Sequence, residues 1–235
     1  RPLGDETTTA LLSHQMAATT LSDRPRPATV SASLEARVLD AALRCVARWG
    51  VAKTTLDDVA REAGCSRASV YRAFPGGKDL LMQAAGEQEV ARLLDEILRV
   101  LAEAPDLLSA VSDALVTAVR TVRAHAALQY LVEHEPGTVL PYVSFDGLDP
   151  LLGLATDFVA PPLTRFVPEA TARPLAELLA RLVVSHAFEP SPFVDLADPD
   201  DARRFVAAFV LPGILADHDH VTDLTVATPT VRLAT

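Results

Sequence analysis

Aromatic residues supply only 5% of this sequence, with a single tryptophan and three tyrosines, and cysteine occurs twice. Two cysteines cannot build a disulfide-rich scaffold. Cys45 and Cys65 each fall within a helical apolar pattern, and we read them as buried free thiols. No uncharged apolar run approaches the 18 or so residues that a transmembrane helix needs. Residues 7–22 lack charge but are rich in Thr, Ser and His. An export signal is not recognisable either, because Asp5 and Glu6 stand where a basic segment belongs and only Leu11 and Leu12 suggest an apolar core. The expected location is cytoplasmic, with no membrane partner. A basic excess is also missing, since 21 Lys and Arg face 31 Asp and Glu for a formal charge of −10.

Hydrophobic residues make up 49% of the 235 positions, enough for a substantial core, and Ala and Leu dominate over aromatic residues. That composition favours helix over strand and predicts an all-α protein. The acidity is unevenly placed. Residues 1–33 carry three basic and three acidic side chains, residues 34–85 carry eight and six, and the remainder carries ten and twenty-two. A mildly basic head beside a strongly acidic body suits a protein that meets a polyanion with one end only, because phosphates repel the rest.

The pattern divides the chain into a flexible tail at 1–33, a head at 34–80, a helical body at 81–216 and a polar tail at 217–235. The first segment ends in Arg24-Pro25-Arg26-Pro27 and has no helical period, so it reads as an arm able to enter a minor groove, or as an inert tail. In the head, Ser33 caps a helix whose apolar positions Val38, Leu39, Ala42, Cys45, Val46 and Trp49 recur at helical spacing until Gly50. Thr55 then caps a helix of about nine residues with Asp57 and Asp58 in its first turn, and Ser66 caps a third from Arg67 to Phe74. The body predicts helices at 78–103, 106–123, 125–134, 151–160, 171–188 and 199–215, about nine in the whole chain. Residues 136–150 read as a proline-interrupted connection.

Within the head, Ala60, Gly64 and Val70 meet the demands of a helix-turn-helix. These are a small residue where two helices cross, a turn residue tolerant of positive φ, and an apolar residue on the second helix facing the first. Such a spacing alone is weak. The run Gly64-Cys65-Ser66-Arg67-Ala68-Ser69-Val70-Tyr71-Arg72-Ala73-Phe74, followed by Pro75-Gly76-Gly77-Lys78-Asp79-Leu80-Leu81, resembles the head of the TetR (tetracycline repressor) family. It departs in having Cys65 where Val is usual and in a linker one residue longer at Pro75-Gly76-Gly77.

The resemblance implies that the third helix enters the major groove of a double-stranded DNA operator. With Val70 and Phe74 turned inward, Arg67 and Tyr71 share one outward strip and Ala68 and Arg72 its neighbour. Arg67 is the candidate for reading a guanine edge, Ala68 or Ser69 for a thymine methyl or a phosphate, Tyr71 for phosphate or base, and Arg72 for phosphate. Thr55, Ser66 and Lys78 are candidate phosphate anchors.

In the body the resemblance implies a homodimer and an effector pocket. Leu175, Leu178, Leu179, Leu182 and His186, with Phe205 and Phe209, are the expected dimer interface, a four-helix contact. Tyr130, Tyr142, Phe145 and Phe158 are the candidate pocket lining, suited to a small lipophilic effector. No cofactor, metal or catalytic residue is expected. Gly76-Gly77-Lys78 lacks the Ser or Thr a phosphate loop needs, Asp217-His218-Asp219-His220 has no enclosing site, and His125, His134 and His186 lie apart without a nucleophile signature. The competing reading is a helical ligand-binding or scaffolding protein that has lost DNA binding.

Overall fold

The computed structural model describes residues 29–143 and 148–216, which form ten helices and no strand. These are α1 (Thr29–Lys53), α2 (Leu56–Glu62), α3 (Arg67–Ala73), α4 (Gly77–Glu103), α5 (Leu107–Ala124), α6 (Ala126–His134), α7 (Pro136–Val143), α8 (Leu148–Leu163) and α9 (Glu169–Phe188). The tenth, α10, runs through Pro199–Phe205, one π turn at Val206–Val210, and Leu211–Ala216.

Two apolar cores organise them. The first joins Val38, Ala42 and Cys45 of α1 to Leu56, Val59 and Ala60 of α2, Val70 of α3, and Leu81 and Ala85 of α4. The second gathers Ile97 and Leu101 of α4 with Val111, Leu115 and Val119 of α5, Leu163 of α8, Leu175 and Leu179 of α9, and Val206 and Val210 of α10. No linker separates them, because the single helix α4 contributes its first turns to one core and its last turns to the other.

Several elements differ from the sequence expectation. α1 begins at Thr29, inside the segment read as a tail, since residues 29–33 contain no helix breaker. Trp49, expected on the apolar face, stands at the last turn beyond the end of the core and is 38% exposed. Residues 136–143, read as a broken connection, are helical; Pro136 occupies the first position, where a missing N–H costs nothing, and Val139 is buried. α8 continues through Pro161 and Pro162 because Val159, Ala160 and Leu163 remain in the core, and reverse turns follow at once, with Thr164 and Phe166 donating to Pro161 and Leu163. The tail sequence Asp217–His220 lies outside the described residues.

α9 and α10 correct the interface expectation in part. Leu175 and Leu179 face inward and are nearly fully buried within this chain, so they serve its own core. Leu178 is 41% and Phe209 74% exposed, while Leu182, His186 and Phe205 are half-buried. The π turn explains Phe209: the added residue brings Val210 beneath Val206 against the core and leaves Phe209 outward. Arg123 fixes this side of the body by donating to the His186 carbonyl at 2.8 Å and pairing with Asp195 at 2.6 Å.

Candidate nucleic-acid interface

The turn between α2 and α3 has the geometry its residues require. Ala60 is 4% exposed within the shared core, Gly64 takes φ +64°, and Val70 is fully buried. The Cys65 amide donates to the Ala60 carbonyl at 2.9 Å, and Arg37 of α1 donates to the Ala63 carbonyl at the same distance, tying the turn to the first helix. Arg44 and Arg48 both bond Glu62, at 2.7 and 2.9 Å, and hold its carboxyl below the usual carboxylate range. These arginines therefore brace α1 against α2. Of the head's positive charge, the part left for a ligand is carried by fewer residues than the formal count suggests.

α3 stands outward as the apolar spacing demands. Val70 and Phe74 are buried, while Arg67, Ala68, Tyr71 and Arg72 are exposed and Ser69 half-exposed. Ser66 caps the helix, its hydroxyl accepting from the Ser69 amide at 3.1 Å, and Arg72 donates to the Ser69 hydroxyl at 3.1 Å. Arg67 does not extend freely. It pairs with Asp57 of α2 at 2.9 Å, donates to the Tyr71 hydroxyl at 3.4 Å, and lies 5.4 Å from the Tyr71 ring centre. The Tyr71 contact first, and the Asp57 charge second, push the Arg67 guanidinium above its already high value. The sequence reading missed Asp57, although an acid ten residues before Arg67 is visible in the sequence.

Thr55 and Lys78 are placed differently from simple anchors. The Thr55 hydroxyl accepts from the Asp58 amide and donates to the Asp58 carboxylate at 2.5 Å, so its proton serves the cap of α2. This bond, foremost among several, lowers the Asp58 carboxyl. Lys78 reaches back to the Ala52 carbonyl at 3.2 Å. Both residues surround the same short segment, Gly50 to Thr55.

That segment is held from the body. Gly50 breaks α1 with φ +78° and ψ 173°, which takes the following amides out of the helical bonding pattern. The Glu135 carboxylate, between α6 and α7, accepts from the Val51 amide at 3.0 Å and the Ala52 amide at 3.3 Å. A Cβ at Gly50 would fall 2.1 Å from Glu135 Oε1 and 2.8 Å from Tyr130 Cε1. On its other side, Thr54 donates both its amide and its hydroxyl to the Gly50 carbonyl. A second link to the body runs through Asp40 of α1, which accepts from Gln88 and Arg92 of α4, and Glu89 bonds His125 at the start of α6.

Tyr130, expected in an effector pocket, thus packs at the Gly50 bend and stacks on His134 with ring centres 4.4 Å apart. Phe158 is half-buried on α8, and the side chain of Tyr142 and all of Phe145 lie outside the described residues. One hollow of about 150 Å³ lies between α1 and α6 against Leu43, Arg44, Ala47 and His125, and another of about 140 Å³ lies where Pro174 and Leu178 of α9 meet Gly213 and Ile214 of α10. Neither involves Tyr130 or Phe158.

Residues 38–85 match the family model of bacterial regulatory proteins, tetR family. The head of the chain therefore carries a tetR-family domain. Curated relatives include an uncharacterised HTH-type transcriptional regulator of Mycobacterium tuberculosis, 39% identical over 61 residues, covering 26% of this chain and 32% of that protein. Another from the same organism is 34% identical over 92 residues, covering 39% of this chain and 45% of that protein. The chain thus matches less than half the length of these relatives.

Among solved structures, the TetR-family repressor AlkX from Dietzia, implicated in n-alkane biodegradation, superimposes with a TM-score of 0.58 at 24% identity, over 77% of this chain and 95% of that one. The fatty acid degradation regulator FadR from Bacillus halodurans gives 0.53 at 14% identity, over 80% and 98%. These likenesses extend the TetR fold beyond the head through most of the body. Among the described residues no helix is long and apolar enough to cross a membrane.

Proposed function

We propose that this TetR-family chain is a sequence-specific, DNA-binding transcriptional regulator of the cytoplasm, a repressor that acts without catalysis as a homodimer. The observation that carries the reading is the outward face of α3, where Arg67, Ala68, Tyr71 and Arg72 are presented while Val70 and Phe74 anchor the helix. A twofold dimer carries two such helices, so the operator is palindromic, with half-sites about one helical turn apart or slightly more. The exposed Leu178 and Phe209 support a contact between copies on the α9 and α10 side. A small lipophilic effector releases the operator by favouring a head spacing that does not fit it. An apolar body core without a charge cluster supports that ligand class, and the n-alkane and fatty acid contexts of the AlkX and FadR structures accord with it.

Selection from a random duplex library, followed by gel shift over a salt series, tests the DNA reading. Enrichment of a palindrome whose binding weakens steeply with salt is the expected result. Arg67→Ala should cost about 1–3 kcal/mol and relax the sequence at one position in each half-site. A purified dimer that binds selected and random duplexes equally would instead favour a helical ligand-binding or scaffolding protein that has lost DNA contact. Thermal-shift screening of lipophilic compounds addresses the effector, since a ligand at a hundred times its Kd stabilises by about 2.7 kcal/mol.

A further inference from the structure

The pairing of Arg67 with Asp57 is unusual in its placement. It crosses between the two helices of the motif, on the face that meets DNA, with the two side chains 56% and 53% exposed. An exposed ion pair contributes little to folding. Asp57 is also not needed to complete the end of α2, because Thr55 and Asp58 already form a reciprocal cap. A carboxylate here repels phosphate and weakens any DNA contact. Its effect is therefore to be sought in discrimination between DNA sequences.

Resting on the DNA-binding reading above, we infer that Asp57 is a specificity-determining residue that withholds Arg67 from phosphates and yields it to a guanine edge. Each terminal guanidinium nitrogen carries two N–H donors. One nitrogen serves Asp57 and the other Tyr71, which leaves one further donor on each, the pair that guanine O6 and N7 accept together. Against a guanine, Arg67 keeps both of its supports and gains two hydrogen bonds. Against a phosphate, it must leave Asp57 and exchange one anion for another, with the abandoned carboxylate facing the backbone. The Tyr71 ring beneath the guanidinium keeps its plane fixed during the first event and is lost in the second. The pair thus separates specific from non-specific binding without adding affinity.

The test compares wild type, D57A, D57N, R67A and the D57A/R67A double variant on the duplex that wild type selects and on random duplex. Asp57 is exposed and outside both cores, so the melting temperature of each variant should match wild type. D57A should bind random duplex several-fold more tightly, with a salt slope steeper by about one unit per head as a freed cation finds a phosphate. Its preference for guanine at one position in each half-site should fall about tenfold, the same position that R67A relaxes, and the double variant should discriminate no worse than R67A. D57N keeps an acceptor but not the charge, so it should bind random duplex more tightly while retaining part of the guanine preference. Unchanged base preference and salt slope in D57A would overturn the inference. So would loss of a cytosine preference that R67A retains, since Asp57 would then read a base directly. If wild type enriches no duplex at all, the DNA-binding reading fails and this inference falls with it.

Discussion

Gly50 shows how far one missing Cβ reaches. Its positive φ ends α1, and its bare face admits Glu135 and Tyr130 from the body. Gly50→Ala should therefore destabilise by about 1–3 kcal/mol from backbone strain alone, since φ +78° with ψ 173° is a region all but reserved to glycine, with a further loss from displacing the Glu135 carboxylate. Glu135→Ala leaves the Val51 and Ala52 amides to water and should cost about 1 kcal/mol, because partial exposure softens the penalty. Urea unfolding with an unchanged slope and lower midpoint checks both. At this scale the sequence was informative about Ala60, Gly64 and Val70, whose demands are local. It was silent about Glu135, whose partners lie 83 and 84 positions away and whose residue type is common on any surface. Asp57 lay between these cases, in plain view but without a sign that Arg67 would turn toward it.

Whole elements were legible where apolar period and caps agreed. α2, α3, α5, α6 and α9 fall within two residues of expectation. Apart from the earlier start of α1, those that departed involve proline. α7 starts on Pro136 and contains Pro141, while α8 passes through Pro161 and Pro162, so burial outweighed a lost donor in each. The expected interface rested on apolar stripes, yet Leu175 and Leu179 of the α9 stripe belong to the chain's own core, because a stripe that fills two faces cannot be divided by spacing alone. The part of α9 and α10 left outward yields a sharper expectation. Phe209→Asp should shift sedimentation from dimer to monomer at concentrations where wild type is dimeric, with helix content unchanged, since Phe209 is 74% exposed in the single chain. Retention of the wild-type dimer would move the interface elsewhere.

For the molecule as a whole, α4 is the continuous member between the two cores, and its Gln88 and Arg92 grip Asp40 of α1 near the midpoint. Such an arrangement makes head position a function of how the body packs, as the proposed two-state regulator needs. His186 adds a dependence on pH. Burial first and the neighbouring Arg123 second lower its pKa below the ordinary 6.5, against a smaller opposing effect of Asp195, and its Nδ1 has no partner among the described residues. The unfolded chain then binds the proton more readily than the folded one, so this contribution to stability is complete above about pH 6.5 and is lost as pH falls toward the folded value. Wild type should accordingly lose more melting temperature than His186→Asn between pH 7.5 and 5.5. Equal losses would remove His186 from the account.

The π turn of α10 can also be understood as a matter of chain length. An α-helix advances about 100° per residue, so the one extra residue at Val206–Val210 rotates everything after it by that angle relative to an unbroken helix. Aligned with a relative whose helix is unbroken, this segment would call for a single-residue gap. Removing the exposed Ala208 should therefore close the bulge while Val210 keeps its place against the core and Gly213 and Ile214 keep theirs beside Pro174 and Leu178. The bulge is thus the one place in this helix where a residue can be lost without turning its outer face, whereas a loss from the α-helical turns on either side would present a different face and with it a different choice of companion.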